Sequence, residues 1–265
     1  MTLFAPDYPA AAVRPSPNCG ARRDCNAPDL IILHYTGMES GQAAEDWLCA
    51  DESQVSSHYL VHEDGCVVQM VRECDRAWHA GSSFWGGIED INSHSIGIEI
   101  VNPGHTHGYQ PFPAVQIASV VALCRDIATR HQIKPQSVLA HSDIAPGRKI
   151  DPGERFPWGA LHAAGVGHWV APEPVGRDVP LGLGAQALEV AETQRRLKVY
   201  GYRVDVTGVL DEASRITLEA FQRHFRPERI DGLIDRSTTR TLQRLIDGLP
   251  PQHEAADHGI YHNRD

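Results

Sequence analysis

Val138-Leu-Ala-His141-Ser-Asp-Ile-Ala-Pro-Gly-Arg-Lys149-Ile-Asp151-Pro-Gly153 is a short apolar strand that runs straight into a polar turn. It sets an imidazole and a carboxylate ten residues apart, with a lysine two positions before the carboxylate. Pro146 and Gly147 are turn formers that fold the intervening segment back on itself. Far upstream, Leu30-Ile-Ile-Leu-His34 is a second apolar strand ending in a histidine. Two neutral imidazoles and one carboxylate can hold a zinc ion and leave its fourth position open for water. His34, His141 and Asp151, at the edges of one small sheet, are the candidate ligands of one Zn2+ per chain, and such a site does hydrolysis.

Working outward from this stretch, strand-like and helix-like patterns alternate over the first part of the chain, which indicates an α/β domain. Residues 30–36 and 95–101 read as strands rich in apolar and β-branched residues. Residues 57–62 and 66–71 read as a hairpin around Glu63-Asp64-Gly65. Residues 43–49 form a short helix candidate. Residues 113–131 form the clearest helix, with a broad apolar face from Val115 to Ala128 and a proline in its first turn.

Around residues 165–184 the pattern dissolves into Gly, Pro and Val, and we read 167–184 as a linker between a catalytic domain at 1–166 and a helical domain at 185–249. The helical unit contains a repeat. Thr207-Gly-Val-Leu-Asp211-Glu-Ala-Ser214 recurs as Asp231-Gly-Leu-Ile-Asp235-Arg-Ser-Thr238, each a glycine turn followed by an aspartate that caps a new helix. Helices over 185–200, 211–225 and 235–246, each with an apolar stripe, suit a small three-helix bundle. The His- and Asp-rich tail at 250–265 reads as flexible.

The formal net charge of −10 argues against a nucleic-acid surface. No apolar run approaches the ~20 residues of a membrane helix. The opening residues show no secretory signal or lipoprotein anchor, and the six cysteines are scattered without a CxxC pair. The expectation from these features is a cytoplasmic protein with free thiols, with a periplasmic location by another route as the alternative.

Glu99 sits in Ser95-Ile-Gly-Ile-Glu99-Ile-Val and points opposite to the isoleucines. If the isoleucines face the core, Glu99 lines a cleft, is partly desolvated, and serves as general base. Lys149, taken with the flanking ligands, is placed to stabilise an oxyanion. Trp78-His79-Ala80-Gly81 offers an aromatic face and an imidazole, and His58 and Tyr59 face opposite sides of a strand so that one reaches the cleft. His58, Tyr59, Trp78, His79 and Asn102 are the candidate substrate contacts.

These segments, in this order, resemble the zinc-dependent N-acetylmuramoyl-L-alanine amidases of the type-2 amidase, or peptidoglycan-recognition, superfamily. The resemblance rests on Leu33-His34-Tyr-Thr, Ser57-His-Tyr-Leu-Val61, Ala77-Trp-His-Ala-Gly81, Ser95 to Asn102, and Ala140 to Gly153 followed by Phe156-Pro-Trp158. It implies zinc on His34, His141 and Asp151, a general base at Glu99 and an oxyanion-stabilising Lys149. It also implies a central mixed β-sheet flanked by helices. The C-terminal unit looks like a peptidoglycan-binding three-helix module, and the two-part layout resembles the AmpD/AmiD-like branch. The implied reaction cleaves the amide between N-acetylmuramic acid and L-alanine in peptidoglycan or (anhydro)muropeptides, in wall turnover and recycling. A non-catalytic recognition protein on the same scaffold is the alternative; such a protein could lack a ligand, and this chain lacks none.

Overall fold

The computed structural model describes residues 4–250. Its strands are β1 (Ala12–Val13), β2 (Cys19–Ala21), β3 (Leu30–Tyr35), β4 (Tyr59–Val61), β5 (Val67–Gln69), β6 (Asp75–Ala77), β7 (Ser95–Ile100) and β8 (Val138–Ala140). Six of them form one mixed sheet in the order β1-β5-β4-β7-β3-β8, and β2 and β6 pair as an antiparallel ribbon. The hairpin read around Gly65 is the antiparallel pair β4–β5. The neighbours β4–β7, β7–β3 and β3–β8 are parallel, so the chain must cross over between them. Among the described residues no helix is long and apolar enough to cross a membrane.

The helices are α1 (Gly41–Leu48), α2 (Ile91–His94), α3 (Ala114–His131), α4 (His141–Ile144), α5 (Trp158–Ala163), α6 (Leu188–Tyr200), α7 (Glu212–Phe225) and α8 (Arg236–Asp247). Strand periodicity divides the sheet's side chains. Ile31 and Leu33 of β3, with Ile96, Ile98 and Ile100 of β7, are fully buried against Ile117, Val120, Leu123 and Ile127 of α3. The opposite face is covered in two parts. Ala44 and Leu48 of α1 pack on Leu60, Val68 and Val101 at one side. Leu30, Ile32 and Leu139 pack at the other side into a core shared with the C-terminal helices. Between these two patches the second face stays open, and His34 and Glu99 emerge there.

The bundle follows from its repeat. Asp211 and Asp235 cap α7 and α8 by accepting from the backbone N–H groups of Ser214 (2.8 Å) and Thr238 (2.7 Å). Val190, Leu197, Leu218, Phe221, Leu242 and Leu245 form its interior, and this interior is continuous with Trp85, Ile91 and Ile144 of the preceding unit. The segment before the bundle is a packed strap. Leu181 exchanges backbone hydrogen bonds with Ile234, and Glu173 N–H donates to the Thr241 hydroxyl at 3.0 Å. The tail read as flexible lies, beyond Pro250, outside the described residues.

Candidate metal centre and active site

His34 and Glu99 are direct partners on the parallel strands β3 and β7, so their side chains leave the same face of the sheet side by side. His141 starts α4 immediately after β8, the strand on the other side of β3. The turn that follows is closed by Ser142 N–H donating to Asp151 O at 3.0 Å and by Lys149 N–H donating to Ala145 O at 3.0 Å. Gly147, at φ +75°, allows the reversal. The sharp turn returns Asp151 to His141.

The three candidate ligands converge. His34 Nδ1 lies 2.9 Å from His141 Nδ1 and 3.1 Å from Asp151 Oδ2, and His141 Nδ1 lies 2.9 Å from that same oxygen. The hydrogen-bond network fixes which of these atoms carry hydrogen. The Ser95 hydroxyl donates to Ile91 O (2.6 Å) and therefore accepts from His79 Nε2 (3.1 Å). His79 Nδ1 is then an acceptor, and His34 Nε2 donates to it at 3.0 Å. His141 Nε2 donates to the Ala80 carbonyl at 3.2 Å. Both Nδ1 atoms are left with bare lone pairs aimed at a carboxylate oxygen about 3 Å away. That arrangement is repulsive until a cation sits at its centre, and a N,N,O donor set suits zinc. The three residues form a group that could hold a metal ion.

Electrostatics act in the same direction. Burial and the neighbouring His141 bring the pKa of His34 down to about 4, so its imidazole is neutral at physiological pH, as a ligand must be. Burial, followed by the Asp151 charge, pushes Glu99 well above the usual carboxylate range, with Lys149 opposing. Glu99 Oε2 has no hydrogen-bond partner. A buried carboxylate oxygen left bare beside a cluster of lone pairs is poised to take a proton.

These groups open into a cavity of about 500 Å³ lined by Trp78, His79, Glu99, His141, Lys149 and Asp151 among others. Three of the expected substrate contacts are corrected. His58 is fully buried, accepts from Gly97 N–H at 3.0 Å and faces Arg22 at 3.2 Å; burial and that guanidinium hold its pKa down to about 3. Tyr59 lies on the opposite sheet face and donates to Glu73 at 2.6 Å. Asn102 is buried, donating to Gln110 O and accepting from Gly104 N–H, and so shapes the loop after β7. All three satisfy their polar atoms within the protein and do not line the cavity. Sequence reasoning missed the apolar wall supplied by Met38, Trp47, Leu48 and Val55. It also missed Arg148, which donates to Ser82 O (3.0 Å) and Ala80 O (2.6 Å) and clamps the turn to the loop below it. Nothing local in the sequence marks these long-range contacts, although an exposed tryptophan on the amphipathic α1 was a usable signal.

Comparison with known proteins agrees with this geometry. A family model described as N-acetylmuramoyl-L-alanine amidase matches residues 24–154, and one described as a peptidoglycan binding domain matches residues 186–242. The chain is 36% identical over 234 residues to the N-acetylmuramoyl-L-alanine amidase AmiD of Escherichia coli (strain K12), covering 82% of each. It is 39% identical over 161 residues to the 1,6-anhydro-N-acetylmuramyl-L-alanine amidase AmpD of Haemophilus influenzae, covering 54% of this chain and 85% of that protein. The structure of E. coli AmiD in complex with the substrate anhydro-N-acetylmuramic acid-L-Ala-D-gamma-Glu-L-Lys matches with a TM-score of 0.71 at 34% identity, covering 85% of this chain and 93% of that one. AmpDh3 of Pseudomonas aeruginosa in complex with anhydromuramic pentapeptide matches with a TM-score of 0.71 at 30% identity, covering 95% of this chain and 100% of that one. The shared fold, the converging His, His and Asp, and identity that extends through both units carry one conclusion: the chain belongs to the N-acetylmuramoyl-L-alanine amidase family and is an enzyme of that class.

Proposed function

We propose that this enzyme cleaves the amide between the lactyl group of N-acetylmuramic acid and the L-alanine of the stem peptide, using one zinc ion held by His34, His141 and Asp151. The observation that carries the reading is the convergence of two bare imidazole nitrogens and a carboxylate oxygen beside the unpartnered Oε2 of Glu99. When bound, zinc supplies Lewis acidity that lowers the pKa of water and polarises the scissile carbonyl.

The protein's own residues do the rest. His79 accepts from His34 Nε2–H and keeps the His34 ring turned toward the centre. Glu99 Oε2 takes a proton from the attacking water; its raised affinity for that proton lets it hold the proton and pass it to the leaving amine of L-alanine. The Lys149 ammonium faces the negative charge that develops on the carbonyl oxygen. Trp47, Leu48 and Val55 form an apolar wall against which an apolar part of the substrate packs. Solved relatives that carry anhydromuramyl peptides support anhydro-muropeptides as substrates, within cell-wall turnover and recycling. Six free cysteines support a reducing compartment, the cytoplasm; fractionation of cells that make the chain checks it, and recovery with the periplasm overturns that assignment.

The test has two arms. Glu99→Gln keeps stoichiometric zinc and loses about 10²- to 10⁴-fold in turnover, the usual worth of a positioned base. His34→Ala, His141→Ala and Asp151→Ala each lose the metal, measured by elemental analysis. The products are peptide with a free L-alanine amine and sugar without peptide. Wild-type turnover in Glu99→Gln, or cleavage inside the stem peptide by mass spectrometry, overturns the reading. Rates on intact sacculi and on anhydro-muropeptides, with and without a chelator, rank the two substrate classes.

A further inference from the structure

The bundle does more than sit beside the catalytic unit. One face of α7 meets the segment that carries His141, Lys149 and Asp151 at three points. Ile216 lies so close to Gly147 that a Cβ there would stand 2.7 Å from Ile216 Cγ2. Arg223 Nε reaches to 4.0 Å from Glu154. His224 Nδ1 donates to Asp143 Oδ2 at 2.7 Å. Residues 216, 223 and 224 are spaced i, i+7, i+8, which is one stripe of a helix.

Asp143 is the centre of the contact. It is fully buried and accepts from three groups: Ala140 N–H (2.8 Å), His224 Nδ1 (2.7 Å) and the Tyr202 hydroxyl (2.6 Å). Two of the three come from the bundle unit. The third is the backbone of the residue just before His141, so the orientation of this carboxylate and the direction in which His141 leaves β8 are tied together. The His224 ring has no freedom of its own. It is stacked between Trp158 and Phe225, each with its centroid at 3.7 Å, and its Nε2 makes no hydrogen bond. Its one polar partner is Asp143.

We propose that His224 and Tyr202 are positioning residues for the metal centre, so that the C-terminal bundle is part of the scaffold that aims His141 and not only an attachment to the wall. The inference rests on the zinc reading above. Removing both donors leaves a buried carboxylate with a single partner and lets α4 turn, which loosens the ligand without touching the cavity wall.

The test is the full-length double variant Tyr202→Phe/His224→Phe, which keeps both rings in the core and removes only the bonds to Asp143. Zinc affinity, measured by competition with a chromogenic chelator, falls about 10- to 100-fold, the usual cost of losing partners behind a metal ligand. The kcat on a muropeptide falls in parallel and KM does not change. Leu242→Ala, which opens the bundle's core and removes no hydrogen-bond partner of Asp143, lowers the melting temperature and leaves zinc affinity unchanged. Tyr202→Phe alone gives an intermediate loss and serves if the double variant does not fold. Wild-type zinc affinity in the Tyr202 and His224 variants, or an equal loss in Leu242→Ala, overturns the proposal while the zinc reading stands. No zinc bound by the unaltered chain overturns both.

Discussion

At Gly97 an added methyl group would stand 2.5 Å from Cγ of the His79 ring. Gly97 belongs to the same strand as Glu99 and faces the same way, so the imidazole that receives the His34 hydrogen bond lies directly over bare backbone. Gly97→Ala must push His79 aside. The expected result is a stability loss of about 1–3 kcal/mol from overpacking, together with weaker zinc binding because His34 loses the acceptor that fixes its ring. Thermal unfolding and chelator competition measure the two effects; wild-type values in both would mean that the wall yields and that His79 does not hold His34. At this scale the sequence was legible where chemistry and strand parity coincide. His34, His141 and Asp151 stand at strand ends or in a turn, and Glu99 alternates with three isoleucines, so their placement on one face could be read directly. His79 was read as a substrate contact and not as the acceptor for His34, and Arg148 and Asp143 could not be assigned, because their partners lie 45, 68 and 81 residues away. His58 and Tyr59 carried the right residue types for a cleft, but their partners are Arg22 and Glu73.

Elements are held in place by a few buried polar clamps. Gln194 of α6 accepts from Gly208 N–H (2.9 Å), and Gln222 of α7 accepts from Gly232 N–H (2.8 Å), so each glycine turn of the repeat is tied to the helix before it. The repeat and its aspartate caps were readable, since each capping Asp stands three residues before a Ser or Thr. The glutamines were not readable, because nothing distinguishes a clamping Gln from a solvated one until the helices are packed. A charged clamp joins α3 to the sheet. Glu73 is almost fully buried and accepts from the Tyr59 hydroxyl, Arg130 and His131. Burial alone would raise its pKa, but Arg130, His131 and Tyr59 outweigh burial and bring it down to about 2. A carboxyl depressed in the folded state stabilises the fold above its unfolded pKa, and that contribution fades as pH falls toward the folded value. The window is therefore about pH 4.5 down to pH 2, and the contribution is of order 3 kcal/mol at neutral pH. Urea unfolding across this range should show Glu73→Gln less stable than the parent at pH 7 and nearly level with it near pH 2. Parallel curves would show that Glu73 does not govern acid stability.

Across the whole molecule, the sequence divides more sharply than the structure does. A Gly- and Pro-rich stretch separates an α/β pattern from a helical one, which reads as two units on a tether. In the structure Leu30, Ile32, Trp85, Ile91, Leu139 and Ile144 share one buried core with Val190, Leu197, Phe221 and Leu242, and the intervening strap is hydrogen-bonded to α8. Composition marks a change of pattern, but it does not record which faces will meet. Each such side chain contributes roughly 1.5–3 kcal/mol when fully buried, against a net stability of about 5–15 kcal/mol for a typical domain. Losing the bundle would thus remove burial comparable to the whole margin of the first unit, and the two units should unfold together. Intrinsic probes weight the two units differently. The five tryptophans, at 47, 78, 85, 158 and 169, all precede the bundle, and α6, α7 and α8 contain none. Fluorescence therefore follows the catalytic unit, the strap and, through Trp85 and Trp158, their contact with the bundle, and far-UV circular dichroism takes much of its signal from the bundle helices. The two denaturation curves should coincide at one midpoint, as cooperative unfolding requires. Separate midpoints would mean that the shared core breaks before either unit does, and would weaken the case for the bundle as support for His141.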